Sequence, residues 1–215
     1  MIAIIDYEAG NLRSVQKAFE SIGADARLTD DRAEILSADA VVLPGVGAYR
    51  DCMDSLARKK LQDTVRAAVK SGKPFLGICL GFQMLFDESE EHAAENGGNV
   101  PGLGLFSGKV RRLEPGNGLK VPHMGWNSLL FPERPEGGGC PLFAGLPEKP
   151  FVYFVHSFCV EAADPAVVSA RTTYGTSFDV ALSSGVVFGT QFHPEKSGDV
   201  GLAILRNFMK VVHGI

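Results

Sequence analysis

Apolar residues along this chain switch between two spacings, and the switching marks its first half as alternating strand and helix. Residues 2–5, Ile-Ala-Ile-Ile, form an unbroken apolar run of strand length. Leu12, Val15, Phe19 and Ile22 then recur at three- and four-residue intervals, which predicts an amphipathic helix with Asn11 at its N-cap and Gly23 as its stop. A strand over 26–28, a short helix over 33–37 and a buried strand over 40–43 follow, the last running into Pro44-Gly45-Val46-Gly47. Leu56, Leu61, Val65 and Val69 place one long amphipathic helix over 51–70, ended by Gly72. Residues 75–78 read as a central strand, and 82–86 begin the helix behind it. Strands alternating with helices imply parallel pairing with helices on both faces, and function in such sheets gathers at the carboxyl ends of the strands.

From about residue 100 the texture changes to short β-type runs broken by Gly and Pro, at 104–113, 127–131, 152–160, 167–173, 179–183 and 186–192. These are expected to be antiparallel strands appended to the first sheet. The expected fold class is therefore α/β: a mixed, mainly parallel central sheet flanked by helices, with an appended antiparallel portion in the second half. Residues 132–150, rich in Pro and Gly, read as a surface loop, and 200–212 as a closing helix that packs Leu202, Leu205, Phe208 and Met209. With no repeat and no need for a linker, residues 1–215 are expected to form one domain.

Composition narrows the partners. Of 215 residues, 45% are hydrophobic, enough for a substantial core, and the formal net charge of -4 offers no global attraction to nucleic acid or to an anionic membrane. Arg111 and Arg112 read as a solvated strand end. The apolar N-terminus meets Asp6 and Glu8 too early for a signal peptide, and no run approaches a membrane span, so a soluble, cytosolic protein is expected. Cys52, Cys79, Cys140 and Cys159 lack metal-type spacing; no metal or cofactor is expected, and all but Cys79 read as packing or loop residues.

Cys79 differs because of its neighbours. Gly77-Ile78-Cys79-Leu80-Gly81 has the form Gly-x-nucleophile-x-Gly, which presents a side chain on a strained strand-to-helix turn, and the positive end of the following helix favours a thiolate. His193-Pro194-Glu195 offers a base and a carboxylate. Pro194 biases His193 to extended backbone, where residues two apart share a face, so Glu195 can orient the imidazole. The glycine-rich 44–47 segment, through the Val46 N–H together with that of Leu80, can supply two donors to an oxyanion. Together these features point to covalent cysteine catalysis. A cysteine peptidase or thioesterase-like hydrolase of the same architecture shares them, and a noncatalytic activating module would need no such trio.

These residues resemble the class I (triad) glutamine amidotransferases over essentially the whole chain. The family-wide marks are Gly77 to Gln83 and Gln191 to Ser197; Pro44 to Ala48, Pro122-His123-Met124-Gly125-Trp126-Asn127 and Tyr153-Phe154-Val155-His156-Ser157 resemble, more narrowly, the glutaminase subunits of imidazole glycerol phosphate synthase. The resemblance implies that Cys79 attacks the carboxamide of L-glutamine, that His193 is its acid and base, and that Glu195 orients His193. It implies pocket roles for Gly45, Gly47, Gln83, Glu91 and the backbone of His156, Ser157 and Phe158. It also implies a heterodimer with a (β/α)8-barrel cyclase subunit in histidine biosynthesis, with Trp126, Tyr153 and Lys196 at the contact, and activation by that partner. A related copy serving surface polysaccharide synthesis shares the same pattern. Phe82 and Phe158 stand where Met and Tyr are common in relatives.

Overall fold

Ile2 to Ile5 are all buried because their strand is covered on both faces, and their side chains divide two hydrophobic cores between them. Ile2 and Ile4 pack with Phe19, Phe188 and Phe208 on one side of the sheet; Ala3 and Ile5 pack with Leu56, Val65 and Leu80 on the other. The computed structural model describes residues 1–8, 11–116, 118–133 and 139–215.

The first half runs β1 (Ile2–Ile5), α1 (Leu12–Ser21), β2 (Ala26–Thr29), α2 (Arg32–Ser37), β3 (Ala40–Gly45), α3 (Tyr49–Arg58), α4 (Gln62–Lys70), β4 (Phe75–Cys79) and α5 (Leu80–Gln83). The second half runs β5 (Phe86–Ser89), α6 (Ala93–Asn96), β6 (Val100–Pro101), β7 (Phe106–Arg112), β8 (His123–Ser128), β9 (Phe151–His156), β10 (Phe158–Ala162), β11 (Val168–Tyr174), β12 (Thr176–Ser184), β13 (Val187–Thr190) and α7 (Gly198–His213). Among the described residues one large sheet has the order β2-β1-β3-β4-β13-β12-β10-β7-β5-β6, with β11 on β12, and β8 and β9 form a separate ribbon. From β2 to β13 every pairing is parallel; β12 then runs antiparallel to β13.

Register puts the chemistry at one edge. β4 lies between β3 and β13, with Gly45 opposite Cys79 and Thr190 opposite Ile78. Parallel neighbours end on the same side, so the segments leaving β3, β4 and β13 deliver residues 45–47, Cys79 and His193 to a common place.

The expected mixed sheet is present, with several local corrections. The helix expected over 51–70 is two helices, α3 and α4, because Lys60 turns left-handed (φ 56°) and closes a Schellman-type end: its N–H bonds Ala57 O, and Leu61 N–H bonds Leu56 O at 2.9 Å. No Gly or Pro announces that break, and burying Leu61 beside Leu56 favours it. The helix expected over 82–86 is the single turn α5, and Phe86 already belongs to β5. A helix of one turn sums few peptide dipoles, so it is a poor source of field for Cys79. Asn11 is the N-cap of α1, but its side chain makes no cap bond; its Oδ1 accepts from Ser14 Oγ instead.

In the second half, the strand expected over 127–131 overlaps β8 only at 127–128; β8 pairs with β9 off the main sheet, whereas Leu130 makes an isolated antiparallel bridge to Arg171 of β11, and the run 152–160 is broken at Ser157 into β9 and β10. Part of the surface loop expected over 132–150 is core. Cys140, Leu142 and Phe143 are buried, and Asn207 of α7 donates to the carbonyls of Leu142 and Ala144. Residues 134–138 of that loop lie outside the described residues. No helix among the described residues is long and apolar enough to cross a membrane.

Candidate active site

The elbow at Cys79 works because glycine surrounds it. Cys79 has φ 54° and ψ -109°, a conformation side chains rarely adopt, and it caps the one-turn α5. The backbone can hold it there only by close approach of strand to helix. A Cβ on Gly81 would sit 1.8 Å from Leu43 O, and one on Gly77 would sit 2.9 Å from Gly81 O. Gly81→Ala must therefore push β3 and the elbow apart. We expect a loss of about 1–3 kcal/mol in urea unfolding. Gly139→Ala, whose Cβ meets nothing within 4 Å, should stay within about 0.5 kcal/mol of the wild type. Equal losses for both would contradict the close-approach account.

Cys79 and His193 open onto a cavity of about 450 Å3, a size that suits a small molecule. His193 Nδ1 and Glu195 Oε1 are 2.8 Å apart, and each side chain is 2% exposed. Glu195 does not reach its partner along an extended segment, as the spacing alone implies; residues 194–196 form a 3-10 turn that folds the carboxylate back onto the ring. His193 Nε2 and Glu195 Oε2 are buried without a hydrogen-bond partner. Burial alone would push the imidazolium down, but the Cys79 sulfur and Glu195 outweigh it and raise the His193 pKa to about 9. The sulfur thus favours the charged ring, although Nε2 has no regular hydrogen-bond partner.

Other cavity residues are arranged around this pair. Val46, Gly47 and Leu80 line the cavity. Gly45 does not; it is buried below, where a Cβ would lie 2.7 Å from Tyr7 OH and 2.8 Å from Gly81 N, so its role is to let the strand approach the elbow. Gln83 is 3% exposed, far from a tolerant surface position, and its amide nitrogen donates to Phe158 O and to Gln191 Oε1. Glu91 lines the cavity with Oε2 occupied by the Tyr49 N–H. His156, Ser157 and Phe158 also line it, though the Phe158 carbonyl is already taken by Gln83 and by His156 Nδ1.

Sequence reasoning passed over two features here. Gln191 is fully buried and reaches Cys79 Sγ through Nε2 at 3.8 Å, linking Gln83 to the thiol. Its position two residues before His193 was the available signal. The second feature is a pair of buried histidines: His156 Nδ1 donates to Phe158 O, His123 Nδ1 donates to His156 Nε2 at 2.9 Å, and Asn127 Nδ2 approaches His123 Nε2 at 3.3 Å. This relay is consistent only if both rings are neutral. Burial favours that state, lowering His123 to about 4 and His156 to about 3.

The sign of the resulting pH dependence follows. In the unfolded chain these rings protonate near the ordinary 6.5, whereas the folded chain resists protonation down to about 4 and 3. Their stabilisation is complete above pH 6.5 and is lost as pH falls towards the folded values. Each contributes a slope of at most about 1.4 kcal/mol per pH unit. Urea unfolding between pH 7 and pH 5 should show a shallower loss for His123→Gln than for the wild type; an unchanged slope would exclude this origin.

The three residues expected at a partner contact adjoin one another. Trp126 and Tyr153 are cross-strand partners in the β8–β9 ribbon with ring centroids 6.2 Å apart, and Lys196 Nζ lies 6.0 Å from the Tyr153 ring centre. Trp126 is 56% exposed, so it is not a core aromatic, and Met124 and Phe151 extend the same ribbon's apolar face. Among the described residues no group of three or more His, Cys, Asp or Glu is placed to hold a metal ion.

Comparison with known proteins adds to this geometry. The family model described as glutamine amidotransferase class-I matches residues 3–212. The imidazole glycerol phosphate synthase subunit HisH of Syntrophotalea carbinolica is 52% identical over 213 residues, spanning 97% of this chain and 98% of that protein. Its namesake in Thermosynechococcus vestitus is 50% identical over 212 residues, spanning 98% and 97%. Among solved structures, PurLQS from Thermotoga maritima matches with a TM-score of 0.73 at 22% identity, covering 98% of this chain and 97% of that one, a likeness of fold.

Proposed function

Since the chain belongs to the class-I glutamine amidotransferase family, we propose that it is the glutaminase subunit of an imidazole glycerol phosphate synthase, hydrolysing L-glutamine and passing the ammonia to a (β/α)8-barrel cyclase in histidine biosynthesis. One observation carries the chemistry: a cavity-lining thiol beside a buried imidazole whose far nitrogen is bound by a carboxylate. Cys79 as thiolate attacks the side-chain carboxamide carbon, forming a C–S bond and a tetrahedral oxyanion. N–H groups of Leu80 and Val46 receive that oxyanion. His193, protonated and steadied by Glu195, gives its proton to the departing nitrogen as the C–N bond breaks, leaving a γ-glutamyl thioester. Neutral His193 then takes a proton from water, which attacks the thioester; glutamate leaves and the thiolate–imidazolium pair is restored.

Recognition of the amino-acid end falls to the far side of the cavity. The α-ammonium of glutamine meets the free Oε1 of Glu91 and Oε1 of Gln83, since the other polar atoms of these side chains are spent internally. Gly47 and the backbone at 156–158 shape the remainder. The exposed Trp126, with Tyr153 and Lys196, supplies the docking face, in keeping with the aromatic anchors of interface centres.

The experiment is a glutaminase assay of the chain alone, with the cyclase, and with the cyclase plus its nucleotide substrate. Glutamate release should rise at each addition, and Trp126→Ala should weaken the complex by about tenfold or more in Kd. Turnover of peptides or thioesters with no glutaminase activity in any mixture would overturn the reading.

A further inference from the structure

The segment that carries the Val46 N–H is held from behind by two side chains. Tyr7, just beyond β1, is completely buried and donates its hydroxyl to Pro44 O at 2.7 Å. Cys52, on the first turn of α3, is 4% exposed and donates its thiol to Val46 O at 3.4 Å, within the range of a sulfur hydrogen bond. The two donors sit under alternate carbonyls of the 44–46 segment, near enough that each shifts the other's ionisation. Packing alone does not call for either donor: a phenyl ring fills the volume of Tyr7 without a hydroxyl, and burial suits a thiol no better than a methyl group.

We propose that Tyr7 and Cys52 are positioning residues that set the direction of the Val46 N–H towards the oxyanion, an assignment that rests on the glutaminase reading above. A trans peptide is planar, with its C=O and N–H pointing oppositely. Pinning Pro44 O and Val46 O therefore fixes the peptide planes on both sides of the Gly45–Val46 unit. The plane between them, which bears the Val46 N–H, is then limited to rotation about two dihedrals. Contact is tight enough to transmit the restraint: a Cβ on Gly45 would come within 2.7 Å of Tyr7 OH. Both groups remain donors at working pH. Burial, then Cys52, raises Tyr7 well above its ordinary value, and burial raises Cys52 to about 11 despite the opposing bond from Tyr7.

A donor that acts on the oxyanion contributes to the transition state and not to ground-state binding, so losing its alignment lowers kcat and leaves KM unchanged. The test uses the assembled complex with its nucleotide ligand and four variants: Tyr7→Phe, Cys52→Ala, Cys52→Ser and Tyr7→Phe/Cys52→Ala. Because deleting an oxyanion donor outright costs about 10²–10³ in kcat, misaligning one is expected to cost about tenfold in Tyr7→Phe. Cys52→Ala should fall in the same direction, Cys52→Ser should recover most of that loss, and the double variant should lose less than the product of the singles. Ammonia-dependent synthesis should be unchanged throughout, which separates misalignment from failure to fold or dock. Single variants with kcat at wild-type level or above, a loss confined to KM, or no recovery by serine would overturn the proposal. Absence of glutamine turnover in the wild-type complex itself would instead remove the glutaminase reading on which it rests.

Discussion

Cys79→Ala in the assembled complex is expected to abolish glutamine-dependent synthesis, a fall of about 10⁴-fold or more, while synthesis from added ammonia continues unchanged. The size of the effect follows from the chemistry. Without sulfur there is no thioester, and water must attack an unactivated amide directly. The fold should tolerate the change, since alanine meets the same backbone strain at φ 54° and removes only one buried atom. Comparing the two nitrogen sources in one preparation checks this. Equal loss of both activities would point to a structural or docking role for the thiol.

Glu195→Gln is expected to have the second largest effect, on the order of 10³–10⁴ in kcat with the structure retained. An amide can still meet His193 Nδ1 at 2.8 Å, but it neither fixes the required tautomer nor stabilises the imidazolium. The pH profile adds a readout that a packing defect would not move. Burial pushes the His193 pKa down while Cys79 and Glu195 hold it up at about 9, so the alkaline limb of kcat/KM should lie near pH 9 in the wild type. Removing the carboxylate charge should shift that limb to lower pH. The same pair bears on stability with the opposite sign to His123 and His156: its contribution is complete below pH 6.5 and is lost as pH rises through about 9.

Legibility in the sequence depended on whether a feature is local. The elbow could be read because Gly77 and Gly81 are needed within two residues of Cys79, where side chains would strike Gly81 O and Leu43 O. Unbroken apolar runs likewise give β1, β3 and β4, since burial on both faces leaves no polar positions. What escaped was decided at a distance. Lys60 ends α3 through packing of Leu56 and Leu61, without a residue type that marks a stop. The β8–β9 ribbon has ordinary strand texture, and only the global sheet order excludes it from the main sheet. His123 and His156 are 33 positions apart, and their relay exists only because register places them opposite each other. Gln191 could be seen in the motif but its bond to Gln83 spans 108 positions. Tyr7 and Cys52 look like plain core residues until the 44–47 carbonyls are seen above them.

The central claim is that one sulfur, at position 79, carries the glutamyl group. Intact-mass measurement with peptide mapping, after exposing the assembled complex to a glutamine-analogue electrophile, tests it most directly. A single adduct on Cys79 is expected, blocked by prior glutamine and slowed in His193→Asn, with Cys52, Cys140 and Cys159 unmodified. A complex that turns over glutamine while Cys79 stays unlabelled, or that is inactivated through another residue, would contradict the claim.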